Sequence, residues 1–201
     1  MGVVGFDLDM TLVDSRPAVM AAFEELARET GTLIDLAAVD SRLGIKLEDE
    51  VGYWYPVQEQ VAALAIYRRH YVRLAAAHTA ALPGAEQALA AVRAAGDRAV
   101  IITAKHPISV GPSLEAAGLI ADDVFTHVHG PEKAVVLREL MAVAYVGDSP
   151  PDMAAAVAAR VRAVGVSTGS YGDRELYEAG ADVVLDSLTG FPSWYRALAT
   201  A

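Results

Sequence analysis

The sequence predicts a doubly wound α/β fold with a mainly parallel sheet, carrying a small all-helical insertion after its first strand. Two observations lead there. From about Ala85 onward, short apolar runs rich in β-branched residues alternate with helix-like segments, which implies βαβ crossovers with helices on both faces of a sheet. One more run of the same kind, residues 3–8, stands alone near the N-terminus and can bury itself only by joining that sheet. The chain between them is helical in pattern, with no convincing buried strand. An α/β core domain is therefore expected from residues 1–14 and 83–201, and a helical unit from residues 15–82.

Residues 3–8 are apolar almost throughout, and polarity then arrives at once with Asp7, Asp9 and Thr11. Asp14-Ser15-Arg16-Pro17 reads as a turn and helix start, with proline near the first helical position. Phe23, Leu26 and Ala27 share one face of that helix, and Gly31 ends it. A second helical piece is expected over residues 36–43, a loop over 43–47, and a long helix over 57–77. Leu82-Pro83-Gly84 punctuates the chain. Strands are then expected at 98–103, 124–128, 142–147, 163–167 and 182–185. Helices should begin near Ala85, Ile108, Glu132, Pro151, Asp173 and Thr189.

Composition narrows the function. A hydrophobic content of 54% over 201 residues supports a packed core. The absence of cysteine excludes a disulfide scaffold, thiolate metal sites and cysteine catalysis, and it fits a reducing cytoplasm. A formal charge of -10 argues against a nucleic-acid partner, because Arg68-Arg69-His70 is the only compact basic group. No apolar run approaches the roughly 18 residues of a membrane span, and Asp7 and Asp9 fall where a signal peptide would need its apolar segment. A cytoplasmic protein is expected.

In an open α/β sheet, ligands bind beyond the carboxyl ends of the strands. The polar residues expected there are Asp7, Asp9 and Thr11, then Thr103 and Lys105, then Lys133, then Asp148, Ser149 and Asp152. Four carboxylates with no cysteine or histidine among them suit a hard cation such as Mg²⁺ better than zinc. Hydroxyl and ammonium groups beside it suit a dianionic phosphate. A calcium loop starting at Asp7 fails, since its sixth position is Leu12 and its twelfth is Ala18.

The DxDxT of Asp7-Leu8-Asp9-Met10-Thr11, the Thr103 after an apolar run, Lys133, and Gly147-Asp148-Ser149-Pro150-Pro151-Asp152 resemble the four ordered motifs of the haloacid dehalogenase superfamily. The helical insertion is similar to the small cap of its phosphoglycolate phosphatase-like branch. The resemblance implies a Rossmann-like core and a Mg²⁺-dependent phosphatase for a small phosphorylated metabolite. It implies Asp7 as nucleophile, forming an aspartyl-phosphate, and Asp9 as the acid and then the base. Thr103 and Lys133 would steady the phosphoryl group, while Asp7, the Asp9 carbonyl, Asp148 and Asp152 would serve the metal. Thr11, Lys105 and Ser149 are expected at the substrate, as is Lys46 in the cap loop if the substrate bears a second anionic group.

Dehalogenating relatives lack the second aspartate, so Asp9 favours phosphate chemistry. A sugar-phosphate mutase and a non-catalytic phosphate-binding regulator are the alternatives, and the chain is expected to be a monomer or homodimer. Trp54 and Tyr55 read as packing, and His106 and His129 as loop residues near the site.

Overall fold

The computed structural model describes residues 2–199. Six strands form one parallel sheet. They are β1 (Val3–Phe6), β4 (Arg98–Ile102), β5 (Asp123–Phe125), β6 (Ala144–Gly147), β7 (Arg162–Val166) and β8 (Val183–Leu185), in the spatial order β5-β4-β1-β6-β7-β8. The central strands are buried along almost their whole length, whereas β5 and β8 at the edges are not, as a sheet covered on both faces requires.

Strand periodicity divides the core in two. Val4, Phe6, Ile101, Val146 and Val164 pack on one face, beneath α5 (Ala85–Ala94), α6 (Pro107–Ala117) and α10 (Phe191–Ala199). Val3, Val100, Ile102, Tyr145 and Ala163 pack on the other, against α7 (Pro131–Glu139), α8 (Pro150–Ala159) and α9 (Asp173–Glu178). Chain order runs outward from β1 through β4 to β5, then returns to β6 beside β1 and proceeds to β7 and β8. The direction of winding therefore switches between β1 and β6, which is where a doubly wound sheet opens its ligand crevice.

Four helices lie between the first strand and the rest of the core: α1 (Arg16–Thr30), α2 (Leu36–Ser41), α3 (Leu47–Gly52) and α4 (Val57–His78). They enclose a third apolar cluster that includes Phe23, Leu26, Val51, Tyr55, Tyr67 and Tyr71. The two chain crossings to this unit pair as a short antiparallel ribbon of β2 (Val13–Asp14) and β3 (Ala80–Ala81). The amide of Leu82 adds a bond to the Leu12 carbonyl. No helix among the described residues is long and apolar enough to cross a membrane.

Three local differences from the sequence reading have clear causes. The first strand ends at Phe6, because the Leu8 carbonyl accepts from the amides of Thr11, Leu12 and Val13 and turns the chain. The ribbon β2–β3 is too short to register as a pattern, since only its pairing makes it a strand. Helix α3 begins right after the expected loop, with Glu48, Asp49 and Glu50 in its first turn, where acids offset the exposed amide dipoles.

Candidate active site

A cavity of ≈ 540 Å³ opens at the carboxyl ends of the central strands and is roofed by the helical unit. Asp7 follows β1, and its amide donates to the Val146 carbonyl at 2.8 Å, so the register between β1 and β6 fixes its place. Asp148 follows β6. One carboxylate oxygen each from Asp7, Asp148 and Asp152 lie within 4.8 Å of one another, and all three residues are buried.

Two glycines make that approach possible. A Cβ at Gly147 would lie 2.4 Å from the Asp152 Cβ, and one at Gly169, in the loop after β7, would lie 1.9 Å from Asp148 Oδ2. Backbone without a side chain is needed at both points.

Lys133 sits in the first turn of α7, a position that disfavours a cation unless something holds it. Its Nζ donates to Asp7 Oδ1 at 2.7 Å and to Asp152 Oδ1 at 2.7 Å. Ser149 Oγ donates to Asp152 Oδ2, and the Tyr145 hydroxyl, which donates to the Ile102 carbonyl at 2.9 Å, lies 3.3 Å from Asp152 Oδ1.

Burial is the largest influence on Asp7 and pushes its carboxyl up to about 7; Lys133 opposes this, and Asp152 adds to it. Ion pairing thus fails to keep Asp7 acidic, because desolvation outweighs one ammonium shared between two carboxylates. Burial, then Asp152 and Asp7, also hold the Asp148 carboxyl well above its usual range. Lys133 moves the other way. Burial would lower it, but Asp152 and Asp7 together hold its ammonium well above the usual range. Were all three carboxylates ionised, one ammonium would leave two negative charges uncompensated, and oxygen donors of this kind fit a hard divalent cation.

Asp9 faces a different partner. Its Oδ1 accepts from Lys105 Nζ at 2.6 Å, and that ammonium lies 4.3 Å from the centre of the Tyr71 ring on α4. The Asp9 side chain is therefore outside the three-carboxylate cluster. Thr103 is buried at the end of β4 and lines the cavity; its Oγ1 accepts from the Lys105 amide at 3.1 Å.

Thr11 does not face the cavity as expected for a substrate contact. It is fully buried, and its hydroxyl donates to Asp148 Oδ1 at 3.1 Å, which orients that carboxylate. Ser149 and Lys105 line the cavity but are engaged with Asp152 and Asp9. Lys46 also lines it, at the exposed N-terminus of α3, and makes no ion pair among the described residues. The basic group of α4 is spent internally. Arg68 binds Glu48, while Arg69 and His70 both bind Glu29. Trp54 donates to Glu50, and Tyr55 packs inside the helical unit.

Sequence reasoning missed Gly169, Tyr71, Tyr145 and His127. Gly169 and Tyr71 reach the site through segments distant in sequence, and Tyr145 through contacts with the Ile102 carbonyl and Asp152 set by how β6 packs, which no local pattern encodes. His127 had a signal in its place between His106 and His129. Its positive φ of 59° had none.

The chain is similar to known proteins in sequence and in fold. The family profile described as haloacid dehalogenase-like hydrolase matches residues 4–156. A plasmid-encoded phosphoglycolate phosphatase of Cupriavidus necator is 29% identical, over 93% of this chain and 90% of that protein. The crystal structure of a predicted phosphoglycolate phosphatase from Haemophilus somnus shares the fold with a TM-score of 0.84 and 20% identity, covering 97% of this chain and 98% of the other. CbbY from Rhodobacter sphaeroides, crystallised with phosphate, superposes with a TM-score of 0.79 and 22% identity, covering 94% and 95%. The chain belongs to the haloacid dehalogenase-like hydrolase family.

Proposed function

We propose that the protein is a Mg²⁺-dependent phosphoric monoester hydrolase that transfers the phosphoryl group of a small metabolite to Asp7 and then to water. The observation that carries this reading is the set of three buried carboxylates around Lys133. Asp7, Asp148 and Asp152, with the backbone carbonyl of Asp9, are the residues that would hold the cation. When bound, Mg²⁺ supplies positive charge that keeps these carboxylates ionised and offsets the charge of the phosphate.

The remaining chemistry belongs to the side chains. Asp7 attacks phosphorus through a carboxylate oxygen, and the ester oxygen leaves with a proton from Asp9. Asp9 then takes a proton from water, which attacks the aspartyl-phosphate and frees inorganic phosphate and Asp7. Lys133 restrains Asp7 and balances charge, and Thr103 offers its hydroxyl to the phosphoryl oxygens. Residues 15–82 act as a cap that limits the substrate to small molecules and excludes water. A dehalogenase needs no acid at the position of Asp9, so a carboxylate there, lining the cavity, supports phosphate chemistry.

Release of inorganic phosphate from phosphorylated metabolites tests the reading. Turnover should require Mg²⁺, stop with a chelator and vanish in Asp7→Asn. Isomer formation without free phosphate, dependent on a bisphosphate activator, would mean a mutase instead.

A further inference from the structure

The cavity is large for a substrate the size of phosphoglycolate. Its ≈ 540 Å³ falls within the range, about 300–1,000 Å³, that encloses ligands of cofactor or drug size. Away from the carboxylate cluster, its cap side mixes apolar side chains with charged ones that are mostly paired within the cap. Leu43 and the 43% exposed Ile45 project from the loop before α3, beside Tyr67 and Tyr71 of α4.

The opposite wall is made of imidazoles. His106 and His127 meet edge to face with ring centres 5.8 Å apart, and His127 and His129 do so at 4.9 Å. All three line the cavity. The wall is fixed in place. His127 keeps a left-handed φ of 59°, its amide donates to the Lys105 carbonyl at 3.0 Å, and the Val128 amide donates to Thr103 at 2.9 Å. A non-glycine residue held in that region costs energy, which such bonding must offset.

Charge leaves a single unpaired cation for a second anion. Arg42 is taken by Glu50 through two bonds of 2.8 and 2.6 Å, Arg68 by Glu48 at 2.6 Å, Lys105 by Asp9 and Lys133 by Asp7 and Asp152. Among the described lysines and arginines of the cavity, only Lys46 is left unpaired. Burial, helped by Arg68 at His106 and by Lys46 at His129, pushes both imidazoles down. The buried Nε–H of Arg68 has no partner and can serve a polar ring substituent.

Resting on the phosphatase reading, we infer that the alcohol released by this enzyme carries a flat aromatic or heteroaromatic ring, which lies between the imidazole wall and the apolar cap loop. Phosphoglycolate and open-chain or saturated sugar phosphates are then poor substrates.

The test compares pyridoxal 5′-phosphate and a pyrimidine nucleoside 5′-monophosphate with 2-phosphoglycolate and glucose 6-phosphate, using Mg²⁺-loaded enzyme. The expected kcat/KM for the better ring-bearing ester exceeds that of either other ester by about tenfold or more. His127→Ala with His129→Ala should raise KM for ring esters more than for 2-phosphoglycolate, and the double phenylalanine variant, which keeps flat rings, should retain the preference. Calorimetric binding of the same esters to Asp7→Asn separates the two readings. A ring preference in binding without turnover by wild type keeps the ring site but defeats the phosphatase reading, and with it the inference about a released alcohol. Equal or reversed preference overturns the inference, while turnover of any ester leaves the phosphatase reading standing.

Discussion

Lys105 and Asp9 meet at 2.6 Å, across a gap of 96 residues in sequence, with the Lys105 ammonium set against the ring of Tyr71 from the helical unit. The Tyr71 hydroxyl in turn shares a 3.0 Å bond with Ser113 of α6. The carboxylate assigned to proton transfer is thus positioned by a core lysine that a cap aromatic covers. Lys105→Met should release Asp9 from this geometry and lower kcat by about 100-fold, with a smaller change in KM. Tyr71→Phe keeps the ring and should cost much less than Tyr71→Leu. Steady-state kinetics of the three variants check this, and an unchanged kcat in Lys105→Met would refute the positioning role.

Removing the ammonium of Lys133 leaves Asp7 and Asp152 buried without their shared partner. Lys133→Met should lower metal-free stability by about 3–5 kcal/mol, the cost of an uncompensated buried charge, unless the carboxyls protonate. Chemical denaturation at pH 5 and pH 8 distinguishes these cases. The loss should be larger at pH 8.

Asp7, pushed up to about 7 chiefly by burial, binds a proton in the folded metal-free protein that the unfolded chain has already released. Its contribution therefore makes the metal-free protein less stable as pH rises from about 4 to about 7. A divalent cation must displace this proton, so Mg²⁺ affinity should fall with pH, by about fivefold from pH 7 to pH 6 through Asp7 alone. Titration calorimetry in buffers of different ionisation enthalpy measures the proton released. Affinity independent of pH, with no proton release, would contradict the assignment.

Sequence pattern carried a long way where chemistry and strand ends coincide. Asp7, Thr103 and Asp148 are legible because buried parallel strands are continuous apolar runs, and the first polar residues after them mark the crevice. Lys133 stood out because a cation in the first turn of a helix is unfavourable without a partner. The sequence position of Thr11 gives no direction to its hydroxyl, which points inward to Asp148. The Lys105–Asp9–Tyr71 grouping and the close pass of Gly169 by Asp148 are contacts between distant segments, set by how elements pack. Periodicity carries no information about these.

Gly147 lets α8 bring Asp152 against the end of β6. Gly147→Ala would place a methyl 2.4 Å from the Asp152 Cβ, so the helix must shift and take that carboxylate with it. Metal affinity should fall about 10- to 100-fold, the usual cost of disturbing the shell around a metal site. Calorimetry on the folded variant gives the answer.

At the far end of the sheet, Asp97 accepts from the Tyr195 hydroxyl at 2.6 Å and from the Gly2 amide. These two bonds, the tyrosine's first, hold its carboxyl below the usual range. A depressed carboxylate stabilises the fold above its unfolded-state value, and this is lost as pH falls through the folded value. Asp97→Asn should therefore lower stability at pH 7 by about 1 kcal/mol, and the gap to wild type should narrow below pH 4. Thermal unfolding across that range checks the sign.

The central claim is that Asp7 carries the phosphoryl group. Its most direct test is acid quenching of the Mg²⁺-loaded enzyme during turnover, followed by mass spectrometry of its peptides. A single phosphoryl adduct on the peptide containing Asp7, absent in Asp7→Asn, is the result predicted. An adduct on another residue, or phosphate release that persists in Asp7→Asn, would contradict it.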